Sequence, residues 1–567
     1  MQKPEPMNRL YYGDNLEVLR DQSQFPDGCV DLVYLDPPFN SNAGYNVLFK
    51  TAQGSGADAS MEAFDDTWTW GPSSASAMLD IESGTNRALT VMMQAMHSAL
   101  GDSPLMAYLA MMAVRLVELH RVLKDTGSLY LHCDPTASHY LKLVLDGVFG
   151  PEKFRSEIVW KRTSAHNSAK RWGPIHDTIL YYSKSDSYVW NRIHTPYDQS
   201  YLDRYYKHKD DAGKLYRLSD LTASGTRNGE SGAEWNGFNP TGYGRHWAIP
   251  QIIKEQFPDA PDGIKTLGWL DLIQEKGLIE MTGEGVGWPH FRRYLEMMEG
   301  ESPQDIIDDI PPLSRRHAER LGYPTQKPRA LLERIIAASS NEDDVVLDPF
   351  CGCGTAVDAA HKLGRNWIGI DVTHIAIGMI EDRMRSGYPG IQFETIGVPK
   401  DLASAERLAA EDPHQFQQWV CWQVGGFPRD KKGGDKGVDG WFNYSDVDGK
   451  VKTGVISVKA GNNVNPSMVR DLGQVMRRDG HEFGLFIMKS SPTKGMREEA
   501  ASHQLVEMSW GTDSQNYKRY PALQIFTLAD LFEGKRPDLP MLISPVKKAS
   551  RVETRKSHQP DSQSKLF

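Results

Sequence analysis

Several short apolar runs in the chain end in an aspartate, and each predicts a buried strand that stops at a carboxylate. A strand of this kind presents its carboxylate at the carboxyl edge of the sheet, where ligands bind in open α/β folds. The pattern therefore predicts an α/β protein with acidic side chains placed at strand ends. The runs are Val30–Leu35 before Asp36, Val345–Asp348, and residues 367–370 before Asp371.

The segment after the first run is Asp36-Pro37-Pro38-Phe39. Its prolines fix the backbone, so carbonyls that lose ladder partners can point at a ligand, and Phe39 offers a flat face to a base. An acceptor side chain, fixed carbonyls and an aromatic ring suit the amino group of a base lifted out of a duplex. A strand that simply stops at a Pro-Pro turn is the alternative.

The second run opens a βαβ unit with a glycine-rich turn. Gly352 and Gly354 lie in the turn after Asp348, residues 356–363 predict a helix, and Asp371 closes the next strand. This order of elements is typical of sites for adenosine-containing cofactors, in which the last acid accepts hydrogen bonds from the ribose hydroxyls.

The same turn favours S-adenosyl-L-methionine over a dinucleotide. A dinucleotide fingerprint would carry a third glycine where this chain has Val357. The carboxylate of Asp348 would repel a pyrophosphate, whereas it suits the ammonium group of an amino acid. S-adenosyl-L-methionine carries an ammonium, a sulfonium and no phosphate.

Together these motifs resemble those of the amino-group DNA methyltransferases. The catalytic motif precedes the cofactor motif, which is the order of the β class, and the resemblance extends from Leu10 to about Arg385. It rests on five segments: Gly13-Asp14, Asp36-Pro37-Pro38-Phe39, His176-Asp177-Thr178-Ile179-Leu180-Tyr181-Tyr182, Tyr323-Pro324-Thr325-Gln326-Lys327-Pro328 and Asp348-Pro349-Phe350-Cys351-Gly352-Cys353-Gly354-Thr355.

The resemblance implies a permuted Rossmann-like methyltransferase sheet and N6-adenine methylation, because N4-cytosine enzymes of the family usually carry Ser in place of Asp36. N4-cytosine methylation is the alternative. Asp36 and the Pro37 carbonyl would each accept an amine hydrogen and stabilise positive charge growing on that nitrogen, next to Pro38 and a stacking Phe39. The implied cofactor-binding residues are Asp14 near the adenine, Thr325 and Lys327 near the methionine end, and Asp348, Phe350, Gly352, Gly354, Thr355 and Asp371.

Two further regions are candidates for contact with DNA. Residues 190–314 correspond to the family's target-recognition region, although an ordinary insertion with its own small core is a rival interpretation. A basic and aromatic stretch before them is suited to phosphates and bases, or is a solvated loop. That stretch contains Arg155, Trp160, Lys161, Arg162, His166, Lys170, Arg171 and Trp172.

The C-terminal part resembles the PD-(D/E)xK nuclease superfamily, in particular its Mrr-like branch, and a smaller α/β restriction-endonuclease-like domain is expected there. Asp439 and Lys459 match the Asp and Lys of that pattern, but Ser457 stands where Glu or Gln is usual and Gln417 where a helix acid is often found. Since Mg²⁺ needs several oxygen ligands, nuclease activity is in doubt. A DNA-binding or degenerate domain is at least as well supported.

Composition limits the remaining choices. The chain has 567 residues, a net charge of -10 and five cysteines without disulfide or zinc spacing, so no metal site is predicted. No run is long enough to span a membrane, and the chain is expected to be cytoplasmic. The expected domains are 1–390 for methyl transfer, 400–545 for the endonuclease-like part and a disordered tail at 546–567. Double-stranded DNA is the expected partner, and a homodimer is also considered.

Three functions are compatible with these motifs. The first is an adenine-specific DNA methyltransferase whose C-terminal domain helps to engage DNA. The second is a bifunctional restriction and modification enzyme with an active nuclease. The third is a non-catalytic DNA-binding protein with a relic cofactor site, against which the intact motifs weigh.

Overall fold

The computed structural model describes residues 8–38, 44–48, 60–65, 69–163, 170, 172–283, 287–314, 317–323, 325–429, 437–446, 450–461, 463–509, 517–540 and 542–543. The chain divides into two compact units. Arg192–Pro303 form one unit, and the parts of the chain on either side of it form the other. Among the described residues, no helix has both the length and the apolar character that a membrane crossing needs.

The first part of the chain alternates strands with helices. Its elements are β1 (Arg9–Tyr12), α1 (Asn15–Arg20), β2 (Val30–Leu35), β3 (Gly44–Leu48), β4 (Ser60–Asp65), α2 (Pro72–Ser83), α3 (Arg87–Leu100), α4 (Pro104–Val122), β5 (Leu123–Cys133), α5 (Ser138–Phe149), β6 (Phe154–Lys161) and β7 (His176–Ser183).

The unit Arg192–Pro303 has its own core around Trp247, Leu270 and Phe291. Its sheet has four strands in the order β12-β13-β9-β8, and a separate two-stranded sheet pairs β10 with β11. The elements are α6 (Gln199–Tyr205), β8 (His208–Lys209), β9 (Leu215–Asp220), β10 (Thr222–Ser224), β11 (Arg245–Trp247), α7 (Gln251–Gln256), α8 (Thr266–Glu275), β12 (Ile279–Thr282) and β13 (Trp288–Tyr294).

The chain then returns to the first sheet. The elements are β14 (Ile306–Ile307), α9 (Arg329–Ser339), β15 (Val345–Asp348), α10 (Thr355–Lys362), β16 (Asn366–Asp371), α11 (His374–Gly387) and β17 (Glu394–Ile396). Nine strands form one mixed sheet in the order β14-β6-β7-β5-β2-β15-β16-β1-β17. Because β17 lies beyond residue 390, the sheet extends past the predicted end of the methyl-transfer domain.

Strand β2 is buried on both faces of this sheet. Val33 and Leu35 pack into a cluster with helices α4 and α5, whereas Leu32 and Tyr34 pack into a second cluster with helices α9 and α10. All six residues of β2 are buried, as expected of a strand with helices on both sides. The apolar run that predicts this strand therefore reflects a three-layer α/β/α arrangement.

The C-terminal part forms a second, smaller sheet, in the order β18-β19-β20-β21-β24 with β25 paired to β19. Its elements are α12 (Leu402–Glu411), α13 (Pro413–Gln423), β18 (Phe427–Pro428), β19 (Gly440–Ser445), β20 (Val451–Lys459), α14 (Pro466–Asp479), β21 (Gly484–Met488), α15 (Lys494–Ala501), β22 (Leu505–Ser509), β23 (Tyr517–Pro521), β24 (Leu523–Thr527), α16 (Leu528–Phe532) and β25 (Leu542–Ile543). The predicted tail, 546–567, lies outside the described residues.

Candidate active site

The two motifs that lie far apart in the sequence meet on adjacent strands. Strand β15 pairs in parallel with β2, and Leu347 lies opposite Val33. Asp348 is therefore level with Tyr34, which lies two residues before Asp36. Both aspartates line one pocket at the carboxyl edge of the sheet, which is the position that parallel strand ends favour.

Asp36 forms an ion pair within this pocket. Its Oδ2 lies 2.5 Å from Nζ of Lys327. Its Oδ1 is buried and has no hydrogen-bond partner among the described residues. A buried acceptor without a partner costs about 1–3 kcal/mol, so this oxygen is suited to an N–H donor supplied by a ligand. Pro37 and Pro38 also line the pocket, while Phe39 lies outside the described residues.

The turn after Asp348 is held by short-range hydrogen bonds. The backbone N–H of Phe350 donates to Asp348 Oδ1 at 3.1 Å. Gly352 and Gly354 have positive φ values of 49° and 74°, which glycine adopts without strain. A Cβ on Gly354 would lie 2.7 Å from Ile380 Cγ1. These glycines therefore serve the turn and its packing on α11.

Asp371 organises the same turn. Its Oδ2 accepts a hydrogen bond from the Gly352 N–H at 2.9 Å. Its Oδ1 accepts from the N–H and the hydroxyl of Thr373, at 2.9 and 2.8 Å. Since each carboxylate oxygen has about two acceptor positions, Asp371 keeps about one further position, on Oδ2. That position can take one of the two expected ribose bonds.

Asp14 is part of a polar cluster that the sequence did not indicate. Its Oδ1 caps helix α1 by accepting from the Leu16 N–H, and its Oδ2 accepts from Arg115 at 2.7 Å. Asn15 accepts from Arg115 Nε and donates to the Pro349 carbonyl. This cluster ties the first helix to the turn after β15. The single arginine inside the apolar run of α4 is the sequence signal that could have revealed it.

Thr325 and Thr355 both line the pocket, but Thr355 also interacts with the protein. The Thr355 hydroxyl lies 3.4 Å from one guanidinium nitrogen of Arg383. The other terminal nitrogen of Arg383 donates to Asp358. Tyr323 is a further pocket residue that the sequence placed only within a motif. Its ring would lie 3.1 Å from a Cβ on Gly352, so the glycine at this position lets the tyrosine close the pocket wall.

The pocket is rich in negative charge. Its charged lining residues are four acids, Asp14, Asp36, Asp348 and Asp371, and two bases, Arg115 and Lys327. Burial raises the pKa of Asp348 well above its ordinary value, and the carboxylates of Asp36 and Asp371 raise it further while Lys327 opposes them. A ligand with a positive charge would relieve this repulsion. The pocket therefore favours cationic ligands over phosphates.

A buried polar chain lies behind Asp36. The Tyr34 hydroxyl shares a hydrogen bond with His132 Nδ1 at 2.8 Å, and His132 Nε2 shares one with Asp177 Oδ2 at 3.1 Å. These residues come from β2, β5 and β7, which are neighbours in the sheet. The chain gives Asp177, in the predicted middle motif, a role in holding the strand that carries Asp36.

The basic and aromatic stretch is only partly available for DNA. Trp160 is buried and its indole N–H donates to the Ile310 carbonyl, so the prediction that it stacks on bases is wrong. Arg155 is bonded to Ser183 and Asp186. Trp172, by contrast, is 98% exposed. His166 and Arg171 lie outside the described residues.

The predicted nuclease residues come together at the end of the β19–β20 pair. Asp439 Oδ2 accepts from the Val458 N–H at 2.7 Å and lies 3.3 Å from the Ser457 hydroxyl and 3.7 Å from Lys459 Nζ. In the part of the chain that the structure describes, no group of three or more His, Cys, Asp or Glu residues could hold a metal ion. The Asp439 carboxylate is held by the Val458 N–H and the Ser457 hydroxyl.

Comparison with known proteins agrees with this geometry. The family model described as DNA methylase matches residues 30–382, which is more than half of the chain. The chain belongs to the DNA methylase family. This membership confirms the resemblance and the α/β methyltransferase fold, and S-adenosyl-L-methionine is accordingly the cofactor. A second model, described as restriction endonuclease, matches residues 408–513 of the methylase and confirms the endonuclease-like domain.

Individual relatives include a Type II methyltransferase and a subunit of a Type III restriction-modification enzyme. The Type II methyltransferase M.EcaI of Enterobacter cloacae is 33% identical over 282 residues, which are 50% of this chain and 58% of that protein. The Type III restriction-modification enzyme StyLTI Mod subunit of Salmonella typhimurium is 26% identical over 367 residues, 63% of this chain and 50% of that protein. The methylase thus spans about half the length of these relatives.

A solved structure of the M1.HpyAVI–SAM complex is 15% identical to the methylase. It covers 66% of this chain and 98% of its own, with a TM-score of 0.30.

Proposed function

We propose that the chain is a site-specific DNA methyltransferase that transfers the methyl group of S-adenosyl-L-methionine to the N6 amino group of adenine in double-stranded DNA. The observation that carries this proposal is that Asp36 and Asp348 line the same pocket. In that pocket the Oδ1 atom of Asp36 is buried and has no hydrogen-bond partner among the described residues. An exocyclic amine is the donor that such an acceptor lacks.

The pocket fits the proposed cofactor by charge. Four acids face two bases, and the cofactor carries an ammonium and a sulfonium against one carboxylate. Asp348 would hold the ammonium, Asp371 the ribose, and Phe350, Gly352, Thr325 and Asp14 the remaining surfaces. When bound, S-adenosyl-L-methionine supplies a methyl group that is activated by the positive sulfur.

The residues of this chain would then prepare the base. Asp36 Oδ1 and the Pro37 carbonyl would accept the two amine hydrogens, which turns the nitrogen lone pair away from the ring. The same acceptors would stabilise positive charge on the nitrogen as the methyl group arrives. Phe39 would stack on the extruded base, a contact that contributes about 1–3 kcal/mol on similar platforms and offsets much of the cost of unstacking.

The unit Arg192–Pro303 is proposed to read the DNA target. Tyr243 is 65% exposed and stacks on Phe238, and the Arg245 guanidinium lies 5.6 Å from the centre of the Trp288 ring. The exposed ring of Tyr243, close to this arginine and Trp288, is suited to stacking on a base, and the guanidinium is suited to a phosphate. The C-terminal domain is proposed to help engage DNA without cleaving it, since the Asp439 carboxylate that a nuclease would use for metal is held by protein donors.

The identity of the target base requires a direct test, because N4-cytosine methylation would use a similar pocket. The test is transfer of isotope-labelled methyl groups to double-stranded DNA, followed by mass spectrometry of the released nucleosides. The proposal expects the label in N6-methyladenosine. Label only in N4-methylcytidine would favour the alternative, and no label in any DNA would contradict methyl transfer. A parallel reaction on RNA tests the choice of nucleic acid.

A further inference from the structure

Lys327 lies against the catalytic carboxylate in the methylase pocket. Its Nζ is 2.5 Å from Asp36 Oδ2, and the two side chains are only 9% and 16% exposed. Lys327 comes from the segment before α9, whereas Asp36 follows β2, so the contact joins motifs that are distant in the sequence. The family resemblance implies a place near the methionine end of the cofactor for this lysine, and Lys327 lines the pocket that holds both groups of residues.

Because of the ion pair, the two carboxylate oxygens of Asp36 have different surroundings. Oδ2 accepts from the ammonium group, and Oδ1 stays buried with no hydrogen-bond partner in the described parts of the chain. A carboxylate held at one oxygen by a charged donor has a defined orientation, because charge-assisted hydrogen bonds are short and strong. The second oxygen is therefore presented to a ligand in a fixed direction.

The neighbouring charges explain why this carboxylate needs a cation. Asp348 lines the same pocket, and Asp177 lies near enough for Lys327 to affect its ionisation. Without the ammonium group, Asp36 would lose the cation that offsets the nearby acids Asp348 and Asp177. Rotation of its side chain away from them would remove Oδ1 from the pocket.

We propose that Lys327 is a positioning residue that fixes the Asp36 side chain and selects Oδ1 as the acceptor for the target amine. This inference rests on the proposed methyl transfer. Lys327 acts on the base through Asp36, and binding of the cofactor does not depend on it. Its substitution therefore slows methyl transfer while leaving cofactor affinity unchanged.

Two measurements on the full chain separate this role from a cofactor contact. The variants are Lys327→Met, Lys327→Arg, Asp36→Asn and the double variant Asp36→Asn with Lys327→Met. Calorimetry gives the Kd for S-adenosyl-L-methionine, and rapid quench gives the single-turnover rate of methyl transfer at saturating cofactor. Far-UV circular dichroism and the thermal midpoint confirm that each variant is folded.

The inference predicts that Lys327→Met lowers the single-turnover rate by about 100-fold, the loss typical of one preorganised electrostatic contact, with the Kd changed less than about 3-fold. Lys327→Arg recovers part of the rate. The double variant is no slower than Asp36→Asn alone, because residues that act as a unit are not additive.

Two results would overturn the inference. One is a Kd for S-adenosyl-L-methionine that rises by the same factor as the rate falls, which would show that Lys327 contacts the cofactor. The other is a double variant whose losses multiply. If the wild-type chain transfers no methyl group, the proposed function fails and this inference fails with it. If the wild-type chain transfers methyl groups and Lys327→Met does so at the same rate, only the inference fails.

Discussion

Trp422 fills the space that a side chain on Gly378 would occupy. A Cβ on this glycine would lie 1.9 Å from the indole Nε1. Gly378 belongs to α11, which begins shortly after the pocket residue Asp371, and Trp422 belongs to α13 of the endonuclease-like domain. The two sheets are thus joined by close helix packing beside the cofactor turn, where Tyr323 and Phe427 share an apolar cluster.

We expect Gly378→Ala to destabilise this junction. Overpacking of a closed contact costs about 1–3 kcal/mol, which exceeds the gain of up to about 1 kcal/mol from replacing a helical glycine with alanine. Thermal unfolding measures the effect as a midpoint lowered by several degrees. Gly461→Ala is the control, because no described residue lies within 4 Å of a Cβ there. Equal midpoints for both variants would show that the packing is not close.

Cofactor binding is expected to release protons through Asp348. Burial is the main cause that raises its pKa well above 3.8. A raised carboxyl pKa means that stability contributed by the protonated form is lost as the pH rises through the folded-state pKa. A bound cation favours the carboxylate, so affinity for S-adenosyl-L-methionine increases as the pH rises through that range. Calorimetry at several pH values and in buffers of different ionisation enthalpy measures the release.

Asp348→Asn is the corresponding control for this linkage. The variant should bind the cofactor more weakly and with less dependence on pH. A wild-type affinity that is constant over the pH range, with no proton release, would show that Asp348 does not change its ionisation on binding.

His374 is expected to make the fold sensitive to acid. Burial lowers its pKa from 6.5 to about 3, and its ring stacks on Tyr12 with centroids 3.8 Å apart. The depressed pKa contributes stability above pH 6.5 that is lost progressively as the pH falls toward about 3. His374→Phe keeps a stacking ring without a titrating group. It should reduce proton uptake on unfolding in this range by about one proton, measured from stability against pH.

No Mg²⁺-dependent cleavage of DNA is expected from the C-terminal domain. The Asp439 carboxylate accepts from Val458 and lies near Lys459, and the adjacent Ser457 offers a hydroxyl in place of a second carboxylate. Incubation of unmethylated plasmid with the full chain and Mg²⁺, analysed by gel, provides the measurement. Cleavage that Lys459→Ala abolishes would instead establish an active nuclease.

The sequence predicted the parts of the site that are local in the chain. Three features are recognisable because each lies at the end of a short apolar run: Asp36 directly after β2, the turn with Gly352 and Gly354, and Asp371 as the last residue of β16. Contacts that depend on sheet register were not predictable in this way. The pairing of β15 with β2 brings Asp348 beside Asp36, and only the folded chain shows that Lys327 reaches that aspartate.

Trp160 and Arg115 show that the direction of a side chain could not be predicted from the sequence. A tryptophan among basic residues suggested a DNA surface, but Trp160 is buried because strand β6 turns it toward the core, where it bonds Ile310. Arg115 was overlooked within an apolar helix, although Asp14 and Asn15 become its partners when α1 packs on α4. Side-chain direction, which decides both cases, depends on tertiary packing.

The central claim is that Asp36 holds the target amine, and Asp36→Ala tests it most directly. The measurement is single-turnover transfer of labelled methyl from S-adenosyl-L-methionine to double-stranded DNA, with cofactor Kd determined by calorimetry on the same sample. We expect methyl transfer to be abolished while the Kd stays close to that of the wild-type chain. Normal turnover by the folded variant would contradict the account.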